Sequence, residues 1–355
     1  MAERLDRALS ALVRHMREHR RTLDAYDAQP DPHPHTHPRR SHAAPGAAST
    51  RPAVLGRLLG GIERRFGLSA SDALRPRLAN ALRSVAIDDL AGWVEQLDTL
   101  DGDHPEWLAV VECLTVHETY LFRDWPQLEL LRDHALPALI AAAASTATPA
   151  LRLWSAGCAS GEEAFSLAVM LLEALAAAGI ATERPGDPSV PEQRRVLLRA
   201  PWQVDVLGTD VSRLVLAQAR TGVYETGRLS AFRAVSAPLL RFFPPAPDTG
   251  AAAPFAESTE PRNRNVRQDV RDLVRFERFN LLSASPPGGG RFDVVACRNV
   301  LVYLTPPART AARRMLENAV RPGGFLLLGP TDQPPDGGDF EAIWGSRAVL
   351  YRRRP

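Results

Sequence analysis

The residues whose types and spacing most clearly indicate chemistry in this sequence are two glycines and two adjacent acids: Gly157, Gly161, Glu162 and Glu163. They lie in the stretch SAGCASGEEAF, between an apolar run and a run rich in alanine and leucine. Glycine lets the backbone approach a ligand closely, and the first turn of a helix presents free N–H groups. We therefore predict that this turn lines a ligand site.

The acids in this turn argue against a phosphate ligand. The order G-x-x-x-G-E-E matches neither G-x-G-x-x-G nor G-x-x-x-x-G-K-[ST], and two carboxylates would repel a pyrophosphate. They suit a ligand that carries positive charge together with hydroxyl groups. S-adenosylmethionine, which has a cationic sulfonium, an amino group and a ribose diol, is the ligand that this pattern favours.

A further acid, Asp210, ends the predicted strand VDVLGTD. Ligands of a doubly wound sheet bind beyond the carboxyl ends of its strands, where an acid can hold ribose hydroxyls. Alternatively, Asp210 is the N-cap of the helix predicted from Ser212. We favour the ligand role, because acids then follow two successive strands.

These residues are positioned by an alternation of strands and helices after about residue 150. We predict strands at 151–157, 204–210, 292–298, 323–329 and in the final AVLYRRR, and helices at 161–177, 212–220 and 306–320. This order predicts an α/β fold with a doubly wound, mostly parallel sheet. Residues 179–203 are predicted to form a loop, and residues 239 to about 279 a small antiparallel β-subdomain inserted in the sheet.

The preceding residues are predicted to be helical over 51–116, with apolar residues recurring every three or four positions from Val54 to Phe66. Residues 51–90 hold seven arginines against four acids, which indicates either an acidic partner or a solvated helix surface. Residues 1–50 are predicted to be an extension, with a helix followed by a disordered linker rich in proline and histidine. The interleaved prolines give its histidines no fixed ligand geometry, so we predict no metal.

The composition excludes several classes of function. All 43 basic residues are arginine, which removes lysine bases and Schiff bases, and a net charge of +2 demands no nucleic-acid partner. Cys158 and Cys297 are predicted to be buried small apolar residues, and three cysteines do not indicate a disulfide framework. No apolar run is long enough for a membrane span, and the N-terminus lacks a secretory signal, so we expect a cytoplasmic protein of unspecified oligomeric state.

Six stretches in order resemble the chemoreceptor glutamate O-methyltransferases, the CheR-type family that uses S-adenosylmethionine. They are LTVHETYLFRD (114–124), LWSAGCASGEEAFSLA (153–168), VLGTDVSRLVLAQARTGVY (206–224), FERFNLL (276–282), FDVVACRNVLVYL (292–304) and VRPGGFLLLGPTD (320–332). The resemblance covers roughly residues 51–355. It implies a helical substrate-docking domain (51–116) and a Rossmann-like class I methyltransferase domain (117–355) that carries the inserted β-subdomain.

Carried over by position, the resemblance also implies site residues. The implied cofactor-binding residues are His117, Thr119, Arg123, Glu162, Asp210, Asn280, Leu281, Asn299 and Val300. Arg123 would bind the methionine carboxylate through its guanidinium fork, and Asp210 the ribose hydroxyls. Glu162 would face the cationic part of the cofactor, and the two asparagines the adenine edge. His117 stands where many relatives have asparagine.

Arg123 and Tyr303 are the candidate catalytic residues, both with positioning roles, although Tyr303 is alternatively a core residue. The implied reaction is methyl transfer to glutamate side chains on the cytoplasmic helices of chemoreceptors, which leaves S-adenosylhomocysteine and serves signal adaptation. A glutamate with a pKa of about 4.3 is already ionised at neutral pH and needs no general base. Two alternatives are a catalytically degenerate S-adenosylmethionine-binding module and a nicotinamide dehydrogenase, which the missing glycine fingerprint disfavours.

Overall fold

The computed structural model describes residues 50–69, 74–82, 87–114, 118–184, 195–227, 230–246, 261–335 and 338–355. They form two compact units, one from the described residues up to 114 and the other from residue 118 onward. Within these ranges, no helix is both long enough and apolar enough to cross a membrane.

The first unit is helical. Its helices are α1 (Arg51–Phe66), α2 (Leu74–Ala81), α3 (Ile87–Thr99) and α4 (Pro105–Leu114). All of the apolar residues that predicted α1 are buried, from Val54 to Phe66. Gly67 ends α1 with a φ of 67° and donates its backbone N–H to Glu63 O, as a glycine in the left-handed conformation commonly does after a helix.

The arginines of α1 are largely matched within this unit. Arg57 pairs with Glu95 and Asp98 of α3, and Arg64 also lies 3.6 Å from Asp98. Arg65 donates to the carbonyl oxygen of Asp98 at 3.1 Å. Such exposed pairs contribute about 0–1 kcal/mol each. The excess of arginine in this part of the sequence therefore does not by itself indicate an acidic partner.

The second unit is built on a seven-stranded sheet. Its strands are β1 (Ala150–Ala156), β4 (Gln203–Asp210), β7 (Val274–Arg278), β8 (Phe292–Cys297), β9 (Val320–Leu328), β10 (Phe340–Trp344) and β11 (Val349–Arg353), in the order β10-β11-β9-β8-β1-β4-β7. The five strands from β9 to β7 are parallel, and β11 is antiparallel to both β9 and β10. This topology confirms the predicted α/β fold with a doubly wound, mostly parallel sheet.

Helices cover the sheet. They are α5 (Trp125–Leu130), α6 (Leu136–Ala144), α7 (Glu162–Ala177), α8 (Arg213–Thr221), α9 (Gln268–Arg271) and α10 (Pro306–Ala319). Helix α7 packs on β1, β4 and β7, whereas α10 packs on β8 and β9. Leu153 of β1 belongs to the same buried cluster as Leu167 of α7, while the neighbouring Trp154 stacks on Phe292. The central strands are thus covered on both faces, as parallel strands usually are.

The structure contains elements that were not predicted, among them the helices α5 and α6. Two short antiparallel strands, β2 (Ala181–Arg184) and β3 (Arg195–Leu198), occupy part of the predicted loop. The small sheet pairs β5 (Val223–Glu225) with β6 (Asn263–Asn265), and β7 belongs to the main sheet rather than to the predicted 239–279 insertion.

Strand β10 was not predicted either. Both β7 and β10 are edge strands, and every residue in them is half-buried or exposed. Their sequences therefore lack the continuous apolar run that marks a buried central strand.

Candidate functional site

The candidate ligand residues that follow the strands of the main sheet lie at the carboxyl ends of those strands, which is the edge meant below. In β4 and β7, Asp210 is level with Arg278, and in β1 and β4, Ala156 is level with Thr209. Asn280 follows β7 by two residues, and Asn299 follows β8 by two residues. Because β7, β4, β1 and β8 are adjacent and parallel, their carboxyl ends bring these residues to the same edge.

The turn after β1 requires both of its glycines. Gly157 has a φ of 80°, and a Cβ atom there would lie 2.5 Å from Cγ2 of Val300. Gly161 has a φ of 96°, and its Cβ atom would lie 2.9 Å from the Cβ atom of Ala219. Positive φ and close packing each exclude a side chain. The turn is therefore held tightly between the segment after β8 and helix α8.

Asp210 connects the end of β4 to this turn. Its Oδ2 accepts the backbone N–H of Ala159 at 3.0 Å, and its Oδ1 accepts the backbone N–H of Ser212 at 3.0 Å. The N-cap of α8 is Ser212, whose hydroxyl accepts the N–H of Val215, so the interpretation of Asp210 as the N-cap is wrong. A carboxylate offers about four acceptor sites, which makes these two amide bonds compatible with hydroxyl donors from a ligand.

The two acids that begin α7 have different surroundings. Glu162 is buried, and its Oε2 accepts the Ser160 hydroxyl at 2.8 Å. Glu163 accepts the Ser155 hydroxyl at 2.7 Å on one oxygen and the Nε–H of Arg298 at 2.9 Å on the other. The expectation that both acids serve a cationic ligand is corrected, because Glu163 forms an ion pair within the protein.

Arg123 lies in an irregular segment with an unusual backbone. The residues on either side, Phe122 and Asp124, have φ values of 56° and 55°, and left-handed conformations at such residues cost about 1–3 kcal/mol each. Arg123 is half-buried as a residue, and its Nη1 donates to Glu118 O at 2.8 Å in an exposed hydrogen bond. Thr119 in the same segment is half-buried, whereas His117 lies outside the described residues.

The segment after β8 holds a strained, unsatisfied asparagine. Asn299 has a φ of 59°, and its buried Oδ1 has no hydrogen-bond partner among the residues that the structure describes. A buried acceptor without a partner costs about 1–3 kcal/mol, so a donor from a ligand would stabilise it. Val300, next to it, is half-buried against Gly157.

The segment after β7 contributes Asn280 and Leu281, which are both half-buried. The Oδ1 atom of Asn280 accepts the backbone N–H of Leu282 at 3.0 Å. This bond fixes the side chain at the same edge as Asp210.

Tyr303 ends a short 3-10 turn (Leu301–Tyr303), and 42% of it is exposed. The alternative interpretation of Tyr303 as a core residue is therefore wrong. Arg309 of α10 fixes the turn by donating to the carbonyl oxygens of Leu301 at 3.1 Å and Leu304 at 3.2 Å. An exposed ring on a fixed turn is available to a second reactant.

Cys158 and Cys297 are free thiols buried at the ends of β1 and β8, as predicted. Burial raises the pKa of both well above the ordinary value, and for Cys158 the charge of Asp210 adds to this effect. Both therefore remain protonated at neutral pH and are poor nucleophiles. Within the described residues, no group of three or more possible metal ligands is found.

Sequence reasoning missed the residues that hold the site together. Arg298 donates to both Glu163 and the Arg123 carbonyl, and the Ser166 hydroxyl accepts the N–H of Phe122 at 2.8 Å. Arg298 stands inside the quoted stretch CRNVLVYL, directly before Asn299. The position of Arg298 within this stretch was a signal that could have been used. Its partners could not be predicted, because they are far away along the chain.

Comparison with known proteins identifies the family. The CheR methyltransferase, SAM binding domain, matches residues 117–182 and 193–348, which is more than half of the chain. Chemotaxis protein methyltransferase 1 of Pseudomonas aeruginosa is 29% identical over 78% of this chain and 88% of its own length. Chemotaxis protein methyltransferase 1 of Vibrio cholerae is 28% identical over 82% of this chain and 93% of its own length.

Among solved structures, a TehB-like SAM-dependent methyltransferase from Corynebacterium glutamicum matches 62% of this chain and 86% of its own, with 13% identity and a TM-score of 0.28. The strand order of the main sheet shows the α/β fold.

Proposed function

Because the chain belongs to the CheR methyltransferase family, and is thereby an S-adenosylmethionine-dependent methyltransferase of the chemotaxis type, we propose that it methylates glutamate side chains on the cytoplasmic helices of chemoreceptors. Such methylation would adjust receptor signalling during adaptation. The proposal places the protein in the cytoplasm, where those helices lie.

The observation that carries the proposal is the pair of acceptors at the sheet edge, Asp210 after β4 and Asn299 after β8. Asp210 is anchored by two backbone amides, and the buried Oδ1 of Asn299 has no partner in the described part of the chain. A ribose diol supplies donors suited to the carboxylate, and an adenine amino group supplies one suited to the amide oxygen. The residues present therefore fit S-adenosylmethionine.

The remaining cofactor contacts are proposed from the positions that these residues share with the family. Arg123 would bind the carboxylate of the methionine part, since a guanidinium matches a carboxylate with two parallel hydrogen bonds. Glu162 would face the cationic part, with Thr119, Asn280, Leu281 and Val300 completing the wall. His117 is proposed on its position in the sequence alone.

The chain needs no residue to activate the nucleophile. When bound, S-adenosylmethionine supplies a sulfonium methyl group, which a glutamate oxygen takes as the sulfur–methyl bond breaks and the sulfur keeps the electron pair. Tyr303 and Arg123 would orient the glutamate and the cofactor, and the packed segments around Gly157 would exclude water. The two buried, protonated thiols are compatible with a reaction that uses no protein nucleophile.

In the proposed domain division, the helical unit comprises residues 51–116 and would dock on the acidic receptor helices. Strands β5 and β6 would form the inserted β-subdomain. Arg75 is exposed on α2, and the side chain of Arg64 on α1 is 64% exposed. Contacts of this kind weaken as ionic strength rises. We therefore expect the KM for the receptor to increase with salt while the affinity for S-adenosylmethionine changes little.

The experiment is methyl transfer from radiolabelled S-adenosylmethionine to the cytoplasmic fragment of a chemoreceptor, with the full-length chain as the enzyme. We expect base-labile label, released as methanol, that disappears when the receptor's modified glutamates are changed to alanine. Binding of S-adenosylmethionine is measured in parallel by calorimetry. Tight cofactor binding without label on any receptor from the same organism would reject the proposed substrate.

A further inference from the structure

Arg298 is a buried arginine that connects two separate parts of the candidate site. Its side chain is 2% exposed and lies directly after β8. The Nε–H donates to Glu163 Oε2 at 2.9 Å, while Nη1 and Nη2 donate to the same acceptor, the backbone carbonyl oxygen of Arg123, at 2.9 and 2.7 Å. One planar group thus joins the end of β8, the start of α7 and the segment that carries Arg123.

The acid that holds Arg298 is itself fixed by regular structure. Glu163 is the second residue of α7, and its other oxygen accepts the hydroxyl of Ser155, which lies in the middle of the sheet on β1. Ser155 is fully buried, and the Glu163 side chain is 12% exposed. The guanidinium therefore has a rigid support on one side.

The segment on the other side of Arg298 needs such a support. Residues 118–124 form no helix or strand, and both neighbours of Arg123 have positive φ values. A backbone of this kind persists only where the surrounding contacts hold it. Phe122 is held by Ser166, and the carbonyl of the next residue, Arg123, is held by Arg298.

We infer that Arg298 is a positioning residue that fixes the backbone of Arg123, so that the Arg123 side chain meets the carboxylate of the methionine part of the cofactor. The inference rests on the proposed function, which gives Arg123 that ligand. Arg298 does not itself bind the cofactor. A lysine keeps the charge opposite Glu163 but cannot place two donors on one carbonyl oxygen while a third reaches the carboxylate.

The test is the Arg298→Lys variant of the full-length protein, studied by calorimetry with two ligands. S-adenosylhomocysteine contains the amino acid part, whereas 5′-methylthioadenosine keeps the adenosine and lacks the carboxylate. We expect the variant to bind S-adenosylhomocysteine on the order of tenfold more weakly and 5′-methylthioadenosine as the unchanged protein does. Equal weakening of both ligands would show a general disturbance of the site and would overturn the inference.

A double-mutant cycle with Arg123→Ala tests whether Arg298 acts through Arg123. If it does, the doubly changed protein binds S-adenosylhomocysteine no more weakly than Arg123→Ala alone. Additive losses would overturn the inference, as would unchanged affinity in Arg298→Lys. If Arg123→Ala alone leaves the affinity unchanged, the proposed role of Arg123 fails first, and the inference fails with it.

The matched control is Arg313→Lys. Arg313 is also buried, donates to a backbone carbonyl, that of Pro334, at 2.8 Å, and pairs with Glu317 on the same helix, α10. Thermal unfolding of both lysine variants separates loss of stability from loss of positioning. We expect Arg313→Lys to leave both ligand affinities unchanged even where its unfolding temperature falls as far as that of Arg298→Lys.

Discussion

The Asp210 carboxylate accepts the backbone N–H of Ala159 at 3.0 Å and so fastens the end of β4 to the turn after β1. The bond joins two neighbouring parallel strands at the edge where the ligand residues lie. Asp210 therefore has two effects that can be separated, since it orders the turn and offers acceptors to a ligand.

Replacing Asp210 with alanine should weaken S-adenosylmethionine binding strongly. Hydrogen bonds to a charged group contribute about 1.5–3 kcal/mol, so we expect the Kd to rise about 10- to 100-fold. Calorimetry with the same preparation measures it. The control is Asp205→Ala, which removes an acid from the same strand that pairs with Arg275. Equal affinities of the two variants would contradict the assigned role of Asp210.

Replacing Gly157 with alanine should destabilise the protein more than the same change at Gly179. Both glycines have positive φ values, of 80° and 71°, but only at Gly157 would the new Cβ atom meet a neighbour, Val300. We expect Gly179→Ala to lower the free energy of unfolding by about 1 kcal/mol and Gly157→Ala to lower it further. Denaturant unfolding measures both. A smaller loss at Gly157 would show that this turn is not tightly held.

Replacing Tyr303 with phenylalanine should lower kcat with little effect on stability. The ring is 42% exposed, so the free energy of unfolding should change by less than about 0.5 kcal/mol. We expect kcat to fall by about tenfold, because the hydroxyl would no longer orient the reactants, while the Kd for S-adenosylmethionine is kept. The neighbouring Val302→Ala, at a side chain 50% exposed, is the control. Unchanged kcat would remove Tyr303 from the candidate catalytic residues.

The thiols of Cys158 and Cys297 should resist alkylation in the folded protein. Burial raises the pKa of both, so the reactive thiolate is scarce at neutral pH and reagent access is blocked. In a Cys113→Ser background, we expect iodoacetamide to label neither thiol in buffer and both after denaturation, as mass spectrometry would report. Labelling of the folded protein at a rate typical of a free thiol would contradict their burial.

Stability should depend on the titration of Asp332. Burial raises the pKa of this carboxyl, although the N–H of Gly329 bonds its Oδ2. An acid with a raised pKa in the folded state favours folding in its neutral form. The stability that the neutral carboxyl contributes to the folded protein is fully present below the ordinary pKa of about 3.9. It is lost as pH rises through the pKa of the carboxyl in the folded state.

Asp332→Asn should therefore lose less stability than the unchanged protein as pH rises from about 4 to 6. Chemical unfolding at each pH measures this difference. Asp339→Asn, which changes an exposed carboxylate nearby in the sequence, is measured alongside to show what loss of a surface charge does. A parallel pH dependence of Asp332→Asn and the unchanged protein would show that Asp332 does not titrate differently on folding.

Much of the fold was predictable because its signals are local. The turn from Gly157 to Glu162 could be predicted from its glycines, which stand where positive φ and close packing exclude a side chain. The central strands β1, β4, β8 and β9 were predictable because each contains consecutive buried residues, covered by helices on both faces. The edge strands β7 and β10 were not, because their exposed sides carry arginine, glutamate and tryptophan.

The sequence by itself determined the central strands and the helices that follow them, the glycine turn, the acid after β4 and the resemblance that indicates a methyltransferase. Only the tertiary structure decided that Glu163, and not Glu162, forms an ion pair with Arg298, because the two residues are 135 positions apart in the sequence. It also decided that the backbone of Arg123 is held by that same arginine. Periodicity and caps act between near neighbours, whereas a buried ion pair forms only where packed elements bring distant charges together.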